Sequence, residues 1–213
     1  MKFFNFHTHN KSEKFGIINL FPEEFPEDTD KIYSIGLHPW YYSENDYLGK
    51  IREINAKISQ KNIIAIGETG LDPNSPVNIK VQEDIFIEHI NLSEVYKKPL
   101  IIHCVKFYNE LIFLKKKLQP QQAWIIHGFT GKVGLIKELI EHNIYFSISE
   151  TILRTPEKID KFLALIPLNR LFLETDDKNY NIKNIYDIIA SKLNLSSKEL
   201  VDIINSNLKD IGI

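Results

Sequence analysis

The stretch Phe3-Phe4-Asn5-Phe6-His7-Thr8-His9 opens the chain with aromatic residues and ends in two histidines two positions apart. In a β-strand, the side chains at i and i+2 point to the same face, so both imidazoles can reach one point. This is the geometry of a pair of metal ligands, although a single His-x-His pattern also arises by chance. A metal site is therefore expected only if the rest of the chain repeats the pattern.

The pattern does recur: short apolar runs are followed, at their C-terminal ends, by side chains that can bind a metal or transfer a proton. The runs are residues 32–37 before His38, 63–67 before Glu68, 100–102 before His103, 123–126 before His127, and 171–173 before Glu174-Thr175-Asp176. Continuous apolar runs of this length indicate strands of a parallel sheet that is buried on both faces. Functional groups at the C-terminal ends of successive parallel strands are typical of α/β barrels.

Helical patterns separate these runs, so the chain alternates strands and helices, as parallel βαβ units with right-handed crossovers do. We expect an α/β fold, a TIM-type (β/α) barrel of seven to eight parallel strands, in one domain over residues 1–213. Residues 17–20 are the doubtful eighth strand, because Pro22 and Pro26 favour a loop nearby. A full barrel needs about 250 residues, so a chain of 213 residues should form a trimmed or distorted one.

The amino-acid composition and charge limit the classes of protein to which the chain can belong. The net charge is −2, so the chain lacks the basic excess of proteins that hold nucleic acid mainly through phosphate contacts, although nucleic acid is not excluded. The single cysteine, Cys104, cannot form an intrachain disulfide. Without a recognisable signal peptide or membrane span, we expect a cytoplasmic protein that has no membrane partner.

The strand ends together supply six candidate metal ligands, four imidazoles and two carboxylates: His7, His9, Glu68, His103, His127 and Asp176. One ion does not need so many, whereas two divalent ions bridged by a carboxylate would use them all, as in many hydrolases. Mixed nitrogen and oxygen ligands suit Zn, Mn, Ni or Fe and still admit Mg. The alternative is a set of buried polar residues that are satisfied by hydrogen bonds.

In order along the chain, six motifs resemble those of the TatD family of metal-dependent hydrolases, many of which are deoxyribonucleases. They are Phe6-His7-Thr8-His9, Gly36-Leu37-His38-Pro39, Gly67-Glu68-Thr69-Gly70-Leu71-Asp72, Ile102-His103-Cys104, His127-Gly128-Phe129-Thr130-Gly131 and Leu173-Glu174-Thr175-Asp176. The resemblance implies the metallo-dependent hydrolase barrel.

The resemblance also implies roles for the residues. One metal would be held by His7, His9, Glu68 and Asp176, and the other by Glu68, His103 and His127. Glu68 would bridge the two ions, and Asp176 would orient or deprotonate the attacking water. Apart from the resemblance, we expect His38 to take part in catalysis, and His38 or Lys106 to contact a phosphate oxygen. Lys106 and Asp72 are the further residues that we expect to bind substrate.

The chain departs from the family pattern in three places. The segment between the first two motifs is short, which should delete one βα unit and widen one side of the pocket. Asp177-Lys178 follow Asp176 where the family has a small residue and a proline, and Val105-Lys106 stand where an arginine is usual. The last two differences affect expected substrate contacts.

Three functions agree with these observations. The first is a monomeric phosphodiesterase, a TatD-like deoxyribonuclease that attacks DNA ends with metal-bound hydroxide and requires no protein partner. The second is an ester or amide hydrolase of the wider amidohydrolase group, although its bridged members often use a carboxylated lysine where this chain has Glu68. The third is a non-catalytic barrel that retains a metal site.

Overall fold

Eight parallel strands pair in chain order into one sheet. The computed structural model describes residues 1–26, 28–151 and 156–213. The strands are β1 Asn5–Thr8, β2 Gly16–Leu20, β3 Ile32–Ile35, β4 Ile63–Leu71, β5 Leu100–Cys104, β6 Trp124–Ile126, β7 Ile144–Ile148 and β8 Leu171–Leu173. Nearly every strand residue is buried, as expected of a parallel sheet with side chains packed on both faces.

The sheet curls until its two edges almost meet. After β8, the Asp176 N–H donates to the His7 carbonyl at 3.1 Å, and the His9 N–H donates to the Asp176 carbonyl at 3.0 Å. The Asn5 side chain donates to Thr175 Oγ1 at 2.8 Å and accepts from the Thr175 N–H at 3.0 Å. These bonds join β1 to the segment after β8 in a nearly closed barrel, which confirms the predicted fold class.

Seven α-helices are described, and most of them connect successive strands on the outside of the sheet. They are α1 Tyr47–Lys57, α2 Ile79–Tyr96, α3 Tyr108–Leu118, α4 Val133–Glu141, α5 Pro156–Leu163, α6 Ile182–Lys192 and α7 Ser197–Asp210. The last helix begins with a capping box, in which Ser196 and Glu199 each bond the other's backbone N–H. None of the described helices is both long enough and apolar enough to span a membrane.

The segment between the first two motifs differs from our expectation. A lost βα unit was predicted there, but Gly16–Leu20 forms β2, which pairs with β1 on one side and β3 on the other. Among the described residues of this segment there is no helix, so β1, β2 and β3 follow one another with only non-helical connections described between them. The strand was hard to recognise because it is short, carries a buried asparagine, Asn19, and precedes Pro22 and Pro26.

Candidate metal centre

Glu68 lies at the centre of the predicted ligands. It belongs to β4, and its side chain is only 5% exposed. Its Oε2 lies 3.5 Å from His7 Nε2 and 3.3 Å from His9 Nε2, the two histidines of the first motif. The alternation of β1 therefore does bring both imidazoles to one carboxylate oxygen.

The other oxygen of Glu68 faces a second group of imidazoles. Its Oε1 lies 2.7 Å from His127 Nε2, 3.2 Å from His103 Nδ1 and 3.3 Å from His38 Nε2. These histidines follow or end three different strands, β6, β5 and β3. We expected His38 to act on substrate. Its distance from Glu68 is similar to the distances of the predicted metal ligands.

Asp176 completes the first group from the opposite edge of the barrel. Its Oδ1 lies 3.6 Å from His7 Nε2 and 3.7 Å from His9 Nε2. The backbone at Asp176 has φ 54°, in the left-handed region that aspartate tolerates better than most residues. Its side chain is 31% exposed, so this carboxylate, unlike Glu68, is open to the mouth of the barrel.

The donor set fits divalent cations. Among the described residues, three groups bring one ligand atom from each member within 4.8 Å of one another: His7, His9 and Glu68; His7, His127 and Asp176; His38, Glu68 and His103. His7 is fully buried, and neither of its ring nitrogens has a hydrogen-bond partner. A buried polar atom without a partner is costly, and a bound cation would satisfy it.

Two carboxylates each contact one histidine of the second group, at the ring nitrogen that does not face Glu68. Asp72 is buried, and its Oδ2 lies 2.9 Å from His103 Nε2, which leaves His103 Nδ1 facing Glu68. Glu174 Oε1 lies 3.4 Å from His127 Nδ1 and accepts from the Gly128 N–H at 2.6 Å. Carboxylates in this position fix the tautomer and orientation of metal-binding histidines.

Sequence reasoning missed the contribution of Asn19 and Glu174. Asn19 Oδ1 accepts from the Glu68 N–H at 2.9 Å and from Ser34 Oγ at 3.2 Å, so β2 fixes the backbone beneath the central carboxylate. A single amide in an apolar run was the available signal for Asn19. Glu174 stood at a strand end like the predicted ligands, in a motif that directed attention to Asp176.

A glycine allows β4 and β5 to approach each other beside the centre. Gly67 has φ 136°, and a Cβ there would lie 2.3 Å from the Ile101 carbonyl oxygen. No other residue type fits such an approach without displacing β5. The close approach of the two strands therefore explains why a glycine precedes Glu68 in the motif.

Burial and opposite charges determine the protonation of the cluster. Burial lowers the pKa of His7, but the carboxylates of Asp176 and Glu68 outweigh it and raise that pKa to about 9. Burial opposes ionisation of Asp176, yet His7 and His127 lower its pKa to about 2. Burial dominates at His38 and lowers its pKa to about 4. Asp176 is thus ionised and His38 neutral at neutral pH.

The remaining expected substrate contacts lie in different surroundings. Lys106 is exposed at the end of β5 and lines a cavity of about 890 Å³ together with Lys132 and Lys161. Asp72 is buried, and both of its oxygens accept hydrogen bonds from within the protein, Oδ2 from Trp40 and Oδ1 from Asn74. Lys106 is therefore open to a ligand, whereas Asp72 is engaged internally.

Comparison with known proteins identifies relatives of the chain. It is 34% identical over 148 residues to an uncharacterized metal-dependent hydrolase of Buchnera aphidicola, with 68% of this chain and 55% of the relative covered. It is 30% identical over 159 residues to the deoxyribonuclease Tat-D of Schizosaccharomyces pombe, with 67% and 50% covered. The chain thus spans about half the length of these curated relatives.

The fold has a close counterpart among solved structures. The TatD homolog YJJV of Escherichia coli superposes with a TM-score of 0.80 over 97% of this chain and 96% of that protein, at 18% sequence identity. A likeness at that identity establishes the barrel alone. The TatD related DNase family matches residues 23–211, which is most of the sequence. The chain therefore belongs to the TatD-related DNase family.

Proposed function

We propose that this protein is a metal-dependent phosphodiesterase that cleaves nucleic acid, with DNA ends as the first substrate to test. The observation that carries the proposal is the position of Glu68, whose two oxygens face different groups of imidazoles. A carboxylate between two cations offsets part of their mutual repulsion, and bridged pairs are typical of phosphatases and nucleases.

The residues that would hold two ions follow from this arrangement. His7, His9 and Asp176 would bind one ion, His103 and His127 the other, and Glu68 both; His38 Nε2 is a further donor for the second ion. When bound, divalent ions such as Mg, Mn or Zn supply positive charge that activates water and neutralises charge on the phosphoryl oxygens.

Protein groups around this centre would handle the proton and the substrate. Asp176 is an ionised carboxylate open to the mouth of the barrel, so it is the candidate base that orients the attacking water and accepts its proton. Lys106 would attract a phosphate of the substrate from its exposed position. Asp72 would act through His103, because its oxygens are engaged inside the protein.

The test is a substrate panel with metal-stripped protein that is reloaded in turn with Mg, Mn and Zn. The panel contains a single-stranded and a duplex oligonucleotide, a small phosphodiester, a phosphomonoester, a carboxylic ester and an amide. We expect metal-dependent turnover of the phosphodiesters. Turnover of the amide or ester alone would move the protein to the amidohydrolase reaction class, and unchanged phosphodiester turnover after exhaustive chelation would exclude the proposed chemistry.

A further inference from the structure

Asn19 is a buried amide in β2, a strand whose other residues are apolar, and its side chain reaches the backbone of Glu68. Asn19 is 2% exposed, and its Oδ1 accepts from the Glu68 N–H at 2.9 Å and from Ser34 Oγ at 3.2 Å. A backbone N–H can only donate, so the Asn19 atom that faces it is the amide oxygen. Two donors therefore fix the side chain in one orientation.

The bond from Glu68 to Asn19 joins two strands that are not neighbours. β4, which carries Glu68, pairs with β3 and β5, whereas Asn19 belongs to β2. The register of β4 with β5 shifts between Ile66 and Thr69, so Glu68 lies where the ladder is irregular. A buried backbone N–H needs an acceptor. At Glu68, a side chain that comes from two strands away provides it.

The N–H of Glu68 can be held without competition with a metal ion. Both carboxylate oxygens of Glu68 face imidazoles and are the atoms that two bridged ions would use. The bond to Asn19 holds the backbone from which the carboxylate extends and leaves both oxygens to the ions. Groups that orient metal ligands typically contribute roughly 10- to 100-fold to metal affinity.

We propose that Asn19 is a positioning residue for the metal bridge: by accepting the Glu68 N–H, it places the carboxylate between the two ions, so that its loss weakens both metal sites. This inference rests on the two-metal centre of the proposed function. His103 serves one of the two sites, whereas Asn19 acts through the residue that faces both. The signature of the role is therefore a loss shared by the two ions.

Calorimetric titration of the metal-stripped protein with Mn²⁺ tests the proposal without any turnover. Asn19→Leu keeps a side chain of similar size and removes the acceptor, so both Mn²⁺ sites should weaken roughly 10- to 100-fold. Asn19→Asp keeps an acceptor oxygen and should retain most of the affinity. If Asn19→Leu does not fold, Asn19→Thr takes its place, because threonine suits a strand and its hydroxyl is one bond too short to reach Glu68.

Asn207→Leu separates positioning from the loss of a buried amide. Asn207 on α7 is also 2% exposed, and its Nδ2 donates to the Leu168 carbonyl at 2.7 Å and to the Leu171 carbonyl at 2.9 Å. Both leucine variants should lower the melting temperature measured in chelator, because each leaves a buried backbone group without its partner. Only Asn19→Leu should change the affinity for Mn²⁺.

The background of His103→Ala tests whether Asn19 acts on both ions. That variant should keep the first site alone, and adding Asn19→Leu to it should weaken the remaining Mn²⁺ by the same factor as in the parent. Unaltered affinity of the remaining ion would confine Asn19 to the second site and overturn its role at the bridge.

Three further results would also overturn the proposal: parent-like affinity at both sites in Asn19→Leu, an equal loss in Asn207→Leu, or binding by Asn19→Asp as weak as that by Asn19→Leu. The proposed activity fails separately. Two bound ions without hydrolysis of any phosphodiester would remove the phosphodiesterase and retain the role of Asn19. Metal-dependent hydrolysis by the parent, with unaltered Mn²⁺ affinity in Asn19→Leu, would retain the phosphodiesterase and remove that role.

Discussion

At the residue scale, the centre depends on one carboxylate that faces two groups of imidazoles. Glu68 is almost completely buried, and both of its oxygens lie within 3.5 Å of histidine nitrogens. Burial opposes its ionisation, but the surrounding imidazoles lower its pKa well below the usual range, so Glu68 carries a negative charge that the proposed pair of cations would need between them. No neutral side chain of the same size supplies that charge.

Glu68→Gln should therefore lower the occupancy of both metal sites together. His103→Ala should mainly empty the second site, because His7, His9 and Asp176 remain for the first. Metal content per chain after equilibration with limiting metal measures both effects. The bridged arrangement is wrong if Glu68→Gln binds two ions as tightly as the parent, or if His103→Ala loses both.

Asp176→Asn should keep the shape of the side chain and remove the base. Loss of a general base typically lowers the rate by roughly 10²–10⁴-fold, so kcat on a phosphodiester should fall within that range at saturating metal. Asp84→Asn is the matched control, because Asp84 lies on α2, is 54% exposed and pairs with Lys80. Near-normal turnover by Asp176→Asn would assign the proton transfer to another group.

Lys106→Ala should raise KM on a charged substrate and leave kcat nearly unchanged. Lysine is a compact point charge without the bidentate fork of arginine, so its contribution to phosphate binding should also decline as salt increases. Steady-state kinetics at low and high ionic strength measure both effects. Lys117→Ala on α3 is the control, and an unaltered KM for Lys106→Ala would make Lys106 an ordinary solvated lysine.

At the scale of elements, a strand was predictable wherever an apolar run ended in a side chain that can bind a metal or transfer a proton. The same pattern predicted the six expected ligands. The rule fails at β2, which ends in Leu20 and carries its functional side chain, Asn19, inside the run. The helix α7 begins at Ser197, as its capping residues indicate. The positions of the strand ends in the sequence predict which side chains meet at one edge of the sheet. Hydrogen bonds such as the one from Trp40 to Asp72 depend on loop conformations, which the local sequence does not predict.

The helix α2 and the end of β3 are joined by a buried histidine. His89 Nε2 accepts from the Leu37 N–H at 3.1 Å, and its Nδ1 donates to the Ile85 carbonyl at 2.8 Å. These two hydrogen bonds give His89 a structural role. Burial lowers the pKa of His89 from 6.5 to about 4, with a smaller opposing effect of the Ile85 carbonyl. The folded protein thus requires the neutral ring.

Stability should consequently fall as the pH drops from 6.5 towards 4, because the unfolded chain binds this proton first. Between pH 7.5 and pH 5, His89 should account for a loss of about 2 kcal/mol in the free energy of unfolding. His89→Gln, which keeps a donor and an acceptor, should reduce that loss. Urea unfolding of both proteins in chelator at the two pH values measures it, and an equal loss in both would show that His89 does not titrate this way.

At the scale of the whole molecule, the candidate ligands come from both edges of the sheet. His7 and His9 belong to β1 and the residue after it, Asp176 follows β8, and Glu68 lies between them on β4. The same region contains the backbone bonds that join the first strand to the last. A cation held by these groups would bind the folded barrel and find no preformed site in the unfolded chain.

Metal binding should therefore raise the melting temperature of the entire barrel. At a free metal concentration about 100 times Kd, the stabilisation is about 2.7 kcal/mol, and for a chain of this size each kcal/mol shifts Tm by about 2–4 °C. We expect chelation to lower Tm by about 5–10 °C. Differential scanning calorimetry with and without chelator measures the shift.

Glu68→Gln should lose most of this shift in melting temperature, whereas His142→Ala, which changes a histidine at the end of α4, should keep it. If the parent protein melts at the same temperature in both conditions, or if Glu68→Gln keeps the full shift, the ligand cluster does not couple a cation to closure of the barrel.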